Sequence, residues 1–184
     1  MEKSIFLTGI GGQGMQSVGK EMIKAGDKLG FTVTYSPLYT FEKRGGLSSA
    51  YVVLSDKPEI GAPRKEKHDI IVTMDNGTYL ASKDDVAPGG TLIVNSTLVK
   101  DTNNASKDIK LIKVPFLDIA TEVGNVKVLS TVVLGVVSVL CGLFNEHMDV
   151  VENIALETLK KKPELLELNR KAFRRGSELA RKYL

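Results

Sequence analysis

The sequence has 184 residues, 26% of them charged, with a net charge of +3. That length suits one domain with a substantial core, and the balance is that of an ordinary folded protein, not a disordered chain. Its one cysteine, Cys141, excludes an internal disulfide and an iron–sulfur cluster held by this chain alone, since such clusters usually take four thiolates.

Two histidines far apart, His68 and His147, leave little for a histidine-based metal site. The basic excess is local. Lys160 to Leu184 holds nine Lys/Arg and three Glu, a net of +6, which leaves −3 for the rest. The N-terminus lacks the charged-then-apolar pattern of a signal peptide, so a cytoplasmic location is expected.

In chain order, the apolar run Ile5 to Leu7 enters a turn with four glycines in six residues, Gly9-Ile10-Gly11-Gly12-Gln13-Gly14. An amphipathic helix follows, with Met15, Val18, Met22, Ala25 and Leu29 at helical spacing and Gly30 as its stop. Strand, glycine turn and helix in that order place unpaired N–H groups where an anion could sit. Gly9, Gly11 and Gly14 fit the G-x-G-x-x-G spacing of a dinucleotide fold. The second strand, Phe31 to Tyr35, does not end in the ribose-binding acid that such a site requires about 20 residues on. Four readings of the turn remain: a packing turn, an anion site, a tight backbone contact with a partner, and, least favoured, a dinucleotide site.

Ser36 to Gly46 reads as a loop ending in Lys43-Arg44-Gly45-Gly46, where Arg44 offers a donor fork for carboxylate or phosphate. Leu47 to Leu54 alternates as a strand, and Asp56 to Glu59 is a turn. After the basic stretch Arg64 to His68, with His68 read as a surface residue, Asp69 to Met74 reads as a central parallel strand covered on both faces. A short helix over 78–83, a turn at Pro88-Gly89-Gly90, a buried strand over 91–94 and a last strand over 109–114 follow. Phe116 to Val123 is helical and stops at Gly124.

Val128 to Phe144 contains no charge. Its small and polar residues, and the absence of flanking aromatics, argue against a membrane span. A helix apolar nearly all round must be covered nearly all round. Two helices close the chain, roughly Val150 to Lys160 and Pro163 to Tyr183, the second strongly basic.

The pattern predicts an α/β fold, Rossmann-like and three-layered, with a mostly parallel sheet and C-terminal helices, as a single domain over 1–184. The carboxyl rim of the sheet collects the glycine turn, the 36–46 loop, Asp75-Asn76 and Asn95-Ser96-Thr97. No nucleophile–base set and no metal cluster stands out. The expected product is a binding platform whose reactive groups come from other chains.

Gly9-Ile-Gly-Gly-Gln-Gly14, with Arg44-Gly45-Gly46 thirty residues on, resembles the gamma subunit of 2-oxoacid:ferredoxin oxidoreductases. Asp69-Ile-Ile-Val, Pro88-Gly-Gly-Thr-Leu-Ile-Val, Leu134-Gly135 and Asn169 to Gly176 agree in order, so the resemblance covers nearly the whole chain. The loop keeps Tyr39, Glu42 and Arg-Gly-Gly but lacks the family's usual glycine and proline between them.

The resemblance implies a complex that converts a 2-oxoacid and coenzyme A to acyl-CoA and CO₂ and passes electrons to ferredoxin. Thiamine diphosphate and iron–sulfur clusters would sit on the alpha- and beta-type subunits and, where one exists, a delta-type subunit. This chain would bind no cofactor alone and carry no catalytic residue. Gly9, Gly11, Gly12, Gln13, Gly14, Arg44, Gly45 and Gly46 would form its cofactor-facing or interface surface. 2-Oxoglutarate is favoured slightly over pyruvate and branched-chain acids. The resemblance also implies an exposed face, the Val128 to Phe144 helix included, and self-association of the isolated chain; neither nucleic acid nor membrane is an expected partner. The competing reading is an independent anion- or nucleotide-binding Rossmann-like module.

Overall fold

The structure, a computed structural model, describes residues 1–40, 45–157, 159 and 163–184. Its contacts divide the chain into two compact units, Met1–Pro115 and Phe116–Leu184.

The first unit is built on a six-stranded sheet. Its strands are β1 (Glu2–Ile10), β2 (Thr32–Tyr39), β3 (Leu47–Ser55), β4 (His68–Thr73), β5 (Val86–Asn95) and β6 (Lys110–Val114). Their order across the sheet is β2-β3-β1-β4-β5-β6. β1, β4, β5 and β6 run parallel, while β3 is antiparallel to both β1 and β2. Parallel pairs thus outnumber antiparallel ones, as the alternation of elements predicts.

Two helices cover opposite faces of this sheet. α1 (Met15–Lys28) buries Met15, Val18, Met22 and Ala25. It rides on the face of Ala50, Val52 and Leu54, which the register shares with Leu7 and Ile5. α2 (Asn76–Ser82) lies on the other face, where Tyr79 packs with Phe6, Ile71, Leu92 and Val94. Ile70, Ile71 and Val72 of β4 are all buried, as their uninterrupted apolar run predicts for a central parallel strand.

The structure corrects three local readings in this unit. Ser36 to Tyr39 belong to β2, not to a loop. Pro37 is accommodated because β2 is an edge strand, where a missing N–H breaks no ladder. Pro88-Gly89-Gly90 is not a turn before a strand but a bulge inside β5, where the pairing with β4 slips between His68 and Ile70. His68 is not on the surface; it is 1% exposed. Its ring lies 5.6 Å from that of Phe6 and 5.4 Å from that of Tyr51, and those two stack at 4.3 Å. Burial holds the His68 imidazole below its usual range, so it is the neutral form that fills this site.

The second unit holds α3 (Phe116–Val123), α4 (Leu129–Leu140), α5 (Met148–Glu157) and α6 (Pro163–Arg181). All of α4 is buried except Ser130 and Leu140, so α4 does not provide the exposed face that the sequence suggests. It stops at Cys141, short of Phe144, and Gly142 follows at φ 77.

α4 and α6 approach at backbone distance. A Cβ on Gly135 would lie 2.3 Å from the Phe173 carbonyl, and one on Gly176 would lie 2.3 Å from that of Val132. Polar groups lock the crossing. Thr131 donates to Asn169 Oδ1 at 2.6 Å, and Ser177 Oγ donates to the Gly135 carbonyl at 3.4 Å. Glu152 of α5 takes two hydrogen bonds from Arg174 at 3.0 Å each, and Arg170 Nε stands 3.3 Å from it. Among the described residues no helix is long and apolar enough to cross a membrane.

Candidate functional site

The site lies in the first unit, where β1 ends and α1 begins. Gly12 and Gly14 take the left-handed conformation, at φ 96 and 78. A side chain is strained there, which explains glycine at both places. Gln13 folds back on the turn it belongs to. Its Oε1 accepts from the Ile10 N–H at 2.8 Å, and its own N–H donates to the Ile10 carbonyl at 3.2 Å. Gly9 leaves the space for that side chain, since a Cβ there would stand 2.4 Å from Gln13 Oε1. α1 starts at Gly14 with no side-chain cap and no acid in its first turn.

The second glycine segment meets the first. The Gly11 N–H donates to the Gly46 carbonyl at 2.9 Å. Gly45 is exposed, at φ 72, and Gly46 is buried. The hairpin that carries them is closed by Thr40, whose N–H donates to the Leu47 carbonyl at 3.2 Å and whose Oγ1 accepts from the Leu47 N–H at 3.0 Å. Arg44 lies outside the described residues, with Phe41, Glu42 and Lys43. The site residues that are described, Gly9, Gly11, Gly12, Gln13, Gly14, Gly45 and Gly46, are brought together.

The other rim residues are held by their own neighbours. Asp75 Oδ1 accepts from the Thr78 N–H at 3.1 Å and the Asp75 N–H donates to Thr78 Oγ1 at 3.3 Å, forming a capping box for α2. Asn95 is fully buried and donates to the Met74 carbonyl at 3.0 Å. Asp75, which the sequence places at the carboxyl rim, is therefore a helix cap. One feature escapes the sequence: Thr8, Ser49 and Thr73 form a hydroxyl row across β3, β1 and β4. Thr8 and Ser49 bond at 2.8 Å, while Thr73 Oγ1 is buried with no hydrogen-bond partner among the described residues. Only strand register reveals this row. Ile10 and Leu98 are exposed at the same rim, at 39% and 43%.

The topology argues against a dinucleotide site. Such a fold sets its second strand beside the first, with the ribose-binding acid at its end. Here the antiparallel β3 stands between β1 and β2, which moves the end of β2 about 10 Å from β1. That strand ends Pro37-Leu38-Tyr39, without an acid. Gly46 stands beside the glycine turn on the β3 side of β1. What remains at the rim is a stiff surface of backbone and small residues, flanked by two exposed apolar side chains.

The fold and the site define a Rossmann-like α/β protein in which an inserted antiparallel strand brings a second glycine segment onto the first glycine turn. The chain belongs to the family described as pyruvate ferredoxin/flavodoxin oxidoreductase, whose sequence model matches residues 4–179. It is 33% identical to the 2-oxoglutarate synthase subunit KorC of Methanocaldococcus jannaschii, over 98% of this chain and 95% of that protein. It is 31% identical to the ketoisovalerate oxidoreductase subunit VorA of Methanothermobacter thermautotrophicus, over 98% of this chain but only 37% of that protein. The solved gamma subunit of a keto/oxoacid ferredoxin oxidoreductase from Geobacter sulfurreducens superposes with a TM-score of 0.81 at 27% identity, covering 98% of this chain and 97% of that one.

Proposed function

We propose that residues 1–184 act as one gamma-type domain, the gamma subunit of a cytoplasmic 2-oxoacid:ferredoxin oxidoreductase. The complex decarboxylates a 2-oxoacid oxidatively to acyl-CoA and CO₂ and reduces ferredoxin, and this chain is its non-catalytic assembly subunit. The observation that carries this reading is the Gly11–Gly46 hydrogen bond. It joins the two motifs that resemble the gamma subunit into one surface, while Gln13, Asp75 and Asn95 turn inward and leave no acid–base pair there among the described residues.

Cys141, the one cysteine, is buried and donates its thiol to the Ser138 carbonyl. It does not fit an iron–sulfur cluster, which takes four thiolates. The clusters and thiamine diphosphate are assigned to alpha-, beta- and delta-type partners. Gly11, Gly12, Gly45 and exposed Ile10 and Leu98 then meet a partner or the coenzyme A region, and Arg44 holds an anionic group there. The isolated chain, without its partner subunits, is also expected to self-associate. 2-Oxoglutarate is favoured slightly over pyruvate and branched-chain acids as the substrate, supported by end-to-end likeness to a 2-oxoglutarate synthase subunit.

The test is anaerobic purification of the tagged chain from its native host. Thiamine-dependent and iron–sulfur subunits in fixed ratio support the reading, and a chain that purifies alone overturns it. Coenzyme A-dependent ferredoxin reduction by each oxoacid names the substrate. For Arg44→Ala, unchanged assembly together with unchanged apparent affinity for coenzyme A removes the role given to that residue.

A further inference from the structure

The outward face of α1 carries Lys20, Lys24 and Lys28, all exposed. They stand at i, i+4 and i+8, about 6 Å apart along the helix axis. Among the described residues none of the three side chains makes a salt bridge or a hydrogen bond, and Lys24 alone has an electrostatic partner, Glu21. Like charges at this spacing disfavour the helix that carries them, so the row opposes the fold it sits on.

α6 is the useful contrast. It is also rich in Lys and Arg, yet Glu164, Glu167 and Glu178 interrupt them, Arg170 pairs with Glu167 and Glu152, and Arg174 pairs with Glu152. That face is a mixed, largely compensated one. On α1 the acids are Asp27, exposed beyond Lys24, and Glu21, whose carboxyl burial pushes up to about 7. Glu21 thus carries only part of a charge at neutral pH.

We propose that the Lys20–Lys24–Lys28 row is a docking surface for an acidic helix of a different protein. A helix with carboxylates at i, i+4 and i+8 repeats at the same 6 Å or so and meets each lysine with one acid. No helix of this chain carries acids at all three positions: the nearest matches are exposed Asp149 and Glu157 of α5, with Asn153 between them, and Asp118 and Glu122 of α3. The proposal does not depend on the subunit reading above.

The test uses the full chain and a fluorescein-labelled alanine-based helical peptide with Glu at i, i+4 and i+8. Binding is followed by fluorescence anisotropy at low salt and at physiological salt. Lys20→Gln/Lys24→Gln/Lys28→Gln is compared with Lys171→Gln/Arg175→Gln/Lys182→Gln, which removes as much charge from α6 and the turn that follows it. The α1 triple variant is expected to bind about tenfold or more weakly and the α6 variant less than about twofold, as for loss of specific against distant charges. The α1 variant should also melt no lower than the parent, because glutamine keeps helix propensity and removes repulsion; weak binding is then not misfolding. Equal losses in both variants, which would mean attraction by net charge alone, overturn the proposal. So does an unchanged α1 variant, or tighter binding of a single-stranded oligonucleotide of the same charge with the same dependence on the three lysines.

Discussion

The backbone N–H of Gly11 and the carbonyl of Gly46 are joined over 2.9 Å. The bond ties the turn after β1 to the hairpin between β2 and β3, and it exists because β3 pairs directly with β1. Ser48 and Leu47 then stand opposite Gly9 and Ile10, and Gly46 comes next in line beside Gly11. The glycines of the turn therefore differ in what they do, and substitution should separate them.

Gly11→Ala should be nearly neutral for folding. A Cβ there would be 3.7 Å from the Gly46 carbonyl, an ordinary contact, and Gly11 is not in the left-handed region. Gly12→Ala keeps open space but must hold φ 96, at a cost of about 1–2 kcal/mol. Urea denaturation of the two variants should show midpoints that differ in that order. If Gly11→Ala folds normally yet loses its partners on purification, the lost contact lies on the docking surface.

Gly9→Ala should destabilise through Gln13. The new methyl would fall 2.4 Å from Gln13 Oε1 and 3.1 Å from Met74 Cβ. Gln13 must leave, and the Ile10 N–H loses its acceptor. Lost hydrogen bonding and crowding together should cost about 2 kcal/mol. Hydrogen exchange should show faster exchange at Ile10 in the variant, and unchanged protection there would refute the mechanism.

Glu21 should make stability fall as pH rises. Burial raises its folded-state pKa from 4.5 to about 7. Below 4.5 both folded and unfolded states are protonated, and the group contributes no penalty. Between 4.5 and 7 the unfolded chain releases the proton first, so the folded state loses ground, by up to about 3 kcal/mol above pH 7. Glu21→Gln should remove this slope and raise stability at pH 8 more than at pH 4. Parallel melting curves for the two proteins across that range would disprove it.

Gly135→Ala and Gly176→Ala should each be severe. Both new methyls meet backbone carbonyls at 2.3 Å, which no side-chain rotation relieves, so a loss of about 3 kcal/mol or more is expected. Ser138→Ala makes a good control. Its Oγ is buried without a hydrogen-bond partner among the described residues, so removing it should be neutral or stabilising. Thermal denaturation of the three variants checks the contrast.

Local pattern alone carried much of this protein. The glycine turn between an apolar run and an amphipathic helix, the buried run of β4, the uncharged stretch of α4 and the start of α6 at Pro163 are all readable, because each follows from periodicity or backbone chemistry within a few residues. So is the grouping of the turn, the hairpin and Asn95 at one rim, since parallel strands alternate with helices. The family resemblance rests on the same glycines.

What only the tertiary structure decided is set by partners far away in sequence. The antiparallel insertion of β3 between β1 and β2 leaves no mark within β3, whose alternation is the same in either direction. Pro37 stays in a strand because β2 happens to be the edge. His68 looks like part of a basic loop, yet Phe6 and Tyr51 enclose it once the strands align. Gln13 and Asp75 look like ligand-facing groups until their hydrogen bonds are seen to be used by the backbone beside them. Sequence determines which segments become strands and helices through short-range sterics and apolar spacing. Strand order and the final partner of each polar group depend on which long-range pairings bury the most surface, and that is decided only when the chain is packed.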